Sequence, residues 1–377
     1  MLRIGFDAKR LFNNFTGLGN YSRTLLNDLA TYYPDEAYFL FSPRIKENDE
    51  TRFFLNNPMF TVKDYKGWGK SWWRTSGVIK DLKAYNIELY HGLSHEIPIG
   101  LHQHGIKSIV TIHDLVFKYY PEQYALPDRL IYNAKFKYAC QHADKIIAIS
   151  ESTKKDIIKF YNIQPDKIQV IYQSIGRHFF QEKSEEIKSA IRQKYDLPSQ
   201  FYLYVGSIIE RKNLLGIVRA MAQIDKNKRL PLVVIGGEST YKKQVLEFAQ
   251  KNGLLNLLLF RKVHYEDLPA IYQSAHLFVY PSFYEGFGIP VLEALFSETP
   301  VVTSNISSLP EVAGQHSMQV NPNRFSEIAN ALEEVSSNEM LRRTMKEKGL
   351  EYAERFRGER LASQLFATYQ EVSNGAN

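Results

Sequence analysis

Cysteine is almost absent: Cys140 stands alone in 377 residues, so no intrachain disulfide can form and no cysteine cluster can hold zinc. A chain with so little cysteine suits a reducing, cytoplasmic setting. Long apolar runs are missing too. None approaches the ~18 residues that a membrane-spanning helix needs. The first ten residues carry Arg3, Asp7, Lys9 and Arg10, which interrupt any apolar stretch, so they read as neither a signal peptide nor an anchor. Tandem repeats and low-complexity tracts are lacking.

Aromatic residues, by contrast, are plentiful at 13%, with 24 Tyr and 23 Phe. Rings can stack on sugars or simply fill cores. The net charge of +6 is uneven. Residues 1–180 hold 24 Lys and Arg against 18 Asp and Glu, whereas the remainder holds 23 of each. A basic first half suits an anionic partner such as phosphate or a membrane surface, and suits a merely solvated face equally well.

Short β-branched and aromatic runs alternate with helix-length amphipathic stretches. Strands are expected at 2–7, 37–41, 88–91, 108–113, 145–150 and 168–172, with helices over 18–32, 73–85, 127–142 and 151–160. The pattern pauses across the polar segment 173–200. It resumes with strands at 201–206, 232–236, 257–260, 277–280, 301–303 and 318–321. Such alternation demands parallel sheets covered by helices on both faces. The fold expected is therefore α/β, with two doubly wound Rossmann-like domains facing a central cleft. The first covers residues 1–180 and the second 181–355. Residues 356–377 form a helix returning to the first. Ligands of open α/β sheets bind beyond the carboxyl ends of the strands, so the loops after each strand carry the candidates.

The segment from Tyr280 to Glu293 is the most informative. A strand runs into a loop containing Gly286, Phe287 and Gly288, and a helix opens near Ile289 with Pro290 in its first turn. Backbone N–H groups beside a helix N-terminus suit a diphosphate. Glu285 could accept hydrogen bonds from sugar hydroxyls and Glu293 could hold a ribose diol. An isolated Glu pair at a helix start would more often be incidental; the two glycines and the strand–loop–helix setting reverse that. Arg211 and Lys212 follow the strand at 201–206 and suit a departing diphosphate, although two cations at a helix start are common without a ligand.

This combination is identified as a resemblance to the retaining glycosyltransferases of family 4, which have the GT-B fold. Glu285-Gly286-Phe287-Gly288 with Glu293 resembles that family's E-x7-E motif, and Thr303 to Ala313 is similar to the segment that follows in bacterial mannosyltransferases. The resemblance spans nearly the whole chain. It implies that Glu285 contacts the transferred sugar, Glu293 the ribose, and Lys212 the phosphates. It also places Leu292 at the donor, and Lys262 and Val263 beside the nucleotide base, where a surface loop is the other reading. The family has Arg at the position of Ser207, a departure that Arg211 could offset. Gly17 and Gly19 resemble the glycine-rich loop that approaches the donor or acceptor; a dinucleotide fingerprint would need a third glycine where Ser22 stands. His113 matches the histidine that faces the transferred sugar, with Asp114 orienting the loop. Ser150, Glu151 and Ser152 match an acceptor-side segment, or an N-cap and first turn. The segment Tyr172–Gly176 departs from the family's hinge motif.

The implied activity is transfer of a hexose, mannose favoured, from a nucleotide sugar to a saccharide or lipid-linked saccharide with retention of configuration. GDP-mannose is favoured over a UDP-sugar such as UDP-glucose. No cofactor, metal or nucleic-acid partner is expected. A GT-B nucleotide-sugar epimerase, a nucleotide-dependent dehydrogenase and a silent sugar-binding protein are the rival readings. Residues 65–74 mix three Trp with three cations, which suits a sugar acceptor, peripheral contact with the inner face of the membrane, or partial core packing.

Overall fold

The structure is a computed structural model, and it describes residues 1–237 and 239–375. The chain divides into two compact units. The first comprises Met1–Ile175 together with the segment from Phe356 onward, and the second comprises Gly176–Arg355.

The first unit is built on a seven-stranded parallel sheet. Its strands are β1 (Arg3–Asp7), β2 (Ala37–Ser42), β3 (Phe60–Asp64), β4 (Leu89–Gly92), β5 (Lys107–Ile112), β6 (Lys145–Ala148) and β7 (Ile168–Val170). Their order is β3-β2-β1-β4-β5-β6-β7. The second unit has six parallel strands: β8 (Tyr202–Val205), β9 (Leu232–Ile235), β10 (Leu258–Arg261), β11 (Leu277–Tyr280), β12 (Val301–Ser304) and β13 (Met318–Val320). Their order is β10-β9-β8-β11-β12-β13. Both sheets are covered on two faces, so central strands are buried along most of their length. Every residue of β9 and of β11 is buried. Gly236 follows β9 directly, where a Cβ would lie 2.1 Å from the Gly206 carbonyl oxygen, so only glycine fits that approach.

The strand missing from the sequence reading is β3. It pairs in parallel with β2, Tyr38 opposite Phe60, at the sheet edge. An edge strand keeps polar residues on its open side, and only Phe60 of its five residues is buried. The segment expected to be a pause also contains a helix, Glu185–Lys194, capped by Ser184 and burying only Ile191. One buried residue in ten gives a weak periodic signal.

The domain boundary at residue 180 is corrected to 175. Phe179 and Phe180 belong to the second unit because their rings meet Tyr272 at 6.0 Å and Phe296 at 4.6 Å. The last helix, Gly358–Asn374, lies on the first unit. Leu361, Leu365 and Tyr369 enter the core that contains Phe6 and Leu26, each burial contributing ~1.5–3 kcal/mol. Gly358 lets that helix meet the helix Gly17–Tyr32 closely, since a Cβ there would lie 2.2 Å from Asp28 Oδ2. No helix among the described residues is long and apolar enough to cross a membrane.

Candidate functional site

In the second sheet the winding direction reverses between β8 and β11, and such a switch point opens a crevice at the carboxyl ends of the strands. The loops leaving these two strands supply Lys212 and Glu285. Lys212 Nζ lies 2.6 and 2.8 Å from the Glu285 carboxylate oxygens and donates to the Tyr280 hydroxyl at 2.6 Å. Tyr280 donates to Glu285 Oε1 at 3.0 Å, and the Ser282 hydroxyl does so at 2.8 Å. Arg211 approaches the other oxygen at 3.5 Å and donates to the Tyr284 carbonyl. The two loops are joined further. The Arg211 carbonyl accepts from the Phe283 amide and the Ser282 hydroxyl, and Asn213 donates to Pro281 and Pro322.

Glu285 is only 8% exposed. Burial alone would raise its pKa, but the charges of Lys212 and Arg211 and the hydrogen bonds of Lys212 and Ser282 outweigh it, so the carboxyl sits below its ordinary value. The result is a fixed, ionised carboxylate at a strand's carboxyl end. That arrangement can accept hydrogen bonds from a polyol or stabilise developing positive charge.

The glycine bend is anchored from one side. Ser307 and Ser308 hydroxyls donate to the Glu285 carbonyl at 2.6 and 2.9 Å, and Ser308 also donates to the Phe287 carbonyl at 2.6 Å. Every peptide bond in the described chain is trans. In a planar trans peptide the N–H points opposite to the C=O. The Gly286 and Gly288 N–H groups therefore aim away from the two serines. Gly288 has φ +124°, a conformation available to glycine, and its Cβ would lie 2.8 Å from Leu309. The helix Ile289–Phe296 follows directly, so its positive end adds to the same face.

Glu293 is buried within that helix at 4% exposure. Its Oε2 accepts from the Tyr272 hydroxyl at 2.9 Å; Oε1 has no hydrogen-bond partner among the described residues. Burial pushes its carboxyl up to about 8, against a smaller opposing effect of Tyr272, so it is protonated at neutral pH. Leu292 was expected at the donor, but its side chain is fully buried in the core. Only its backbone faces the loop, donating to Gly288 at 3.3 Å. Ser207 is exposed, and its carbonyl accepts from Tyr204 at 2.9 Å. Lys262 is exposed and Val263 half-buried in the loop after the edge strand β10.

The remaining candidates lie in the first unit. Gly17 and Gly19 open the helix Gly17–Tyr32. A Cβ at Gly19 would lie 1.7 Å from the Asn14 carbonyl oxygen. The Gly19 amide donates to Asn14 Oδ1 at 3.1 Å and to Thr16 O at 3.0 Å, so the chain's own acceptors take up that N–H. His113 is 4% exposed. Its Nε2 lies 2.8 Å from the Leu93 carbonyl, which fixes the Nε2–H tautomer, and Gln173 reaches Nδ1 at 3.4 Å. Burial drives its pKa down to about 4, leaving it neutral. Asp114 accepts from the Val116 amide, and Ser150 caps the helix Glu151–Tyr161 through Thr153. Of the three tryptophans, Trp73 is buried, stacks on Tyr65 at 4.9 Å and donates to Asp81 at 2.7 Å; Trp68 and Trp72 are exposed.

Sequence reasoning missed the seat of Glu285. Tyr280 and Ser282 lay within the quoted motif, and Ser307 and Ser308 within the next, but their roles depend on two strands lying side by side.

Comparisons with known proteins follow the same division. Residues 17–176 match the model described as Glycosyltransferase Family 4, and residues 187–352 match Glycosyl transferases group 1. The chain is 29% identical to the O-antigen chain mannosyltransferase B of Escherichia coli, covering 98% of this chain and all of that protein. It is 27% identical to the O-antigen chain mannosyltransferase RfbU of Salmonella typhimurium, covering 87% and 90%. The crystal structure of Anabaena HepE in complex with UDP and glucose superposes with TM-score 0.76 at 17% identity, covering 98% of this chain and all of that one.

Proposed function

Because the chain belongs to glycosyltransferase family 4 and has its GT-B fold, we propose that it transfers a mannosyl residue from a nucleoside diphosphate sugar to a saccharide or lipid-linked saccharide, with retention of configuration and without a metal ion. The observation carrying this reading is the buried, ionised Glu285 beside the Gly286–Gly288 bend. The donor diphosphate rests on the bend's amides, at the positive end of the following helix. Glu285 accepts hydrogen bonds from the hexose and stabilises positive charge growing at its anomeric carbon. Lys212 and Arg211 hold Glu285 ionised and share their charge with the leaving group. The bond from the anomeric carbon to the diphosphate oxygen breaks with its electron pair going to the diphosphate. The acceptor oxygen bonds the same face, and its proton passes to the diphosphate. Glu293 Oε1 receives the ribose diol.

Mannose is favoured by the two O-antigen mannosyltransferases the chain resembles, and the donor is then GDP-mannose. The UDP complex of HepE favours a uridine donor as a second reading. A cytoplasmic enzyme touching the inner membrane face suits the exposed Trp68 and Trp72 and the basic first half of the chain.

The test is a panel of GDP- and UDP-sugars with chelator present, followed by NMR of the product's anomeric centre. Release of GDP from GDP-mannose and an α-linked product are expected. An inverted β-linked product would remove the retaining mechanism. A requirement for added metal would remove the metal-independent one, and turnover of UDP-sugars alone would replace the donor.

A further inference from the structure

Lys9 and Arg10 stand on the short helix Lys9–Asn13, directly after β1. Both are half-buried, and neither side chain makes a hydrogen bond or an ion pair among the described residues. Arg10 Nε is buried with no acceptor. The acids whose charge reaches Lys9 are Asp7 and Glu96, and both are engaged elsewhere. Arg74 donates to Asp7 at 2.5 and 3.1 Å and to Glu96 Oε2 at 2.8 Å. Lys135 donates to the same Glu96 oxygen at 2.9 Å. Lys9, Arg10, Arg74 and Lys135 therefore outnumber Asp7 and Glu96 by two charges.

Neighbouring groups register that excess. Burial, and then the charges of Arg74 and Arg10, lower the Lys9 pKa against the opposing pull of Glu96 and Asp7. Burial does most to lower the pKa of His95 and His113, and the Arg10 charge lowers both further. Arg10, His95 and His113 follow β1, β4 and β5, at the carboxyl edge of the sheet where ligands of such folds bind. An unpaired charge withdrawn from water costs stability. A residue that served only the fold would be neutral or would reach into solvent; departures of this kind mark functional sites. The surplus of two charges suits a dianion, and a guanidinium offers paired N–H donors that match phosphate oxygens. A neutral sugar would leave both charges uncompensated, and one carboxylate would balance only half of them.

We infer that Arg10, with Lys9 beside it, forms an anion site of the first unit that binds a diphosphate group. The site stands on its own charges and goes beyond the glycosyltransferase reading above. A nucleotide and a saccharide linked to lipid through diphosphate both carry such a group, and the test separates them.

The test follows the NMR ring signals of His95 and His113 in the full-length chain, carrying isotope-labelled histidine, as inorganic pyrophosphate is added. Both rings sense the Arg10 charge, so the readout is local to the first unit. Saturable shifts are expected in the wild type. Arg10→Gln and Lys9→Gln should each raise the half-saturating concentration by about 10-fold or more, the scale of one lost hydrogen bond to a charged group. Arg10→Lys, which keeps the charge but not the paired donors, should fall between. Without ligand neither glutamine variant should melt below the wild type, because each removes an unpaired cation. Repeating the titration with GDP and with geranyl diphosphate names the source: the ester that shifts the rings at the lower concentration carries the group. No shift in the wild type, equal half-saturation in Arg10→Gln, or a lowered melting temperature in both glutamine variants would overturn the inference. Shifts with pyrophosphate but with neither ester would mean an adventitious ion only, and would overturn it too. Failure of GDP to raise the melting temperature would count against the glycosyltransferase reading and leave the anion site standing.

Discussion

Replacing Glu285 with glutamine is expected to lower sugar transfer by at least about 10²–10³-fold, the usual cost of removing one preorganised electrostatic group. Shape and volume are kept, so the loss reports charge. The carboxylate is held by Lys212 at 2.6 Å, Ser282 at 2.8 Å and Tyr280 at 3.0 Å, a shell that leaves little room for water to replace it. Glutamine leaves the Lys212 ammonium facing a neutral amide at depth, and breaking one side of a buried pair costs ~3–5 kcal/mol. A loss of activity could then be mistaken for unfolding. The double variant Glu285→Gln with Lys212→Met separates the two. It removes both charges, so it should melt closer to the wild type than the single variant does, yet it should stay as inactive. Recovery of transfer in the double variant would show that Glu285 serves only to balance Lys212.

Glu293→Gln has the opposite effect on stability: the second unit should become more stable by about 3 kcal/mol at pH 7. The carboxyl's ordinary pKa of 4.5 is raised to about 8 in the folded chain. Between these values the folded state keeps a proton that the unfolded state has released. Stability therefore falls as pH rises through that window, by about 1.4 kcal/mol per pH unit. Glutamine mimics the protonated form and carries no such cost. For a unit of this size the gain corresponds to roughly 6–12 °C in melting temperature at pH 7, shrinking to nearly nothing at pH 4.5. The same change should weaken nucleotide binding about 10-fold, because a carboxyl able to ionise against a ribose diol is lost. An unchanged or lowered melting point across that pH range would show that Glu293 is not held neutral by burial.

The twelve strands expected from the sequence carry short apolar or β-branched runs, clearest in Leu277–Tyr280, where burial and β propensity agree. β3 escaped because its five residues include Thr61, Lys63 and Asp64 and bury only Phe60, and Glu185–Lys194 because it buries one residue. In the site, Glu285, Arg211 and Lys212 stood out by type and by their place after strands. Their mutual geometry did not, since the loops after β8 and β11 meet only because the sheet order sets those strands side by side. Ser307 and Ser308 lay within the Thr303–Ala313 segment, with no role of their own in the sequence reading. Their hydrogen bonds to the Glu285 and Phe287 carbonyls decide which way the bend's amides face. Gly19 carries a related ambiguity: a glycine at a helix start can serve a phosphate or the close passage of the chain's own carbonyl, and the sequence is the same in both cases.

The central claim is that a nucleotide's diphosphate lies on the amide face of the Gly286–Gly288 bend. A crystal structure with GDP or the intact donor bound tests it most directly. The account predicts diphosphate oxygens at ~2.7–3.2 Å from the Gly286 and Gly288 nitrogens, with the ribose hydroxyls at Glu293. A nucleotide bound elsewhere on the second unit, with the bend's amides turned to protein, would contradict it.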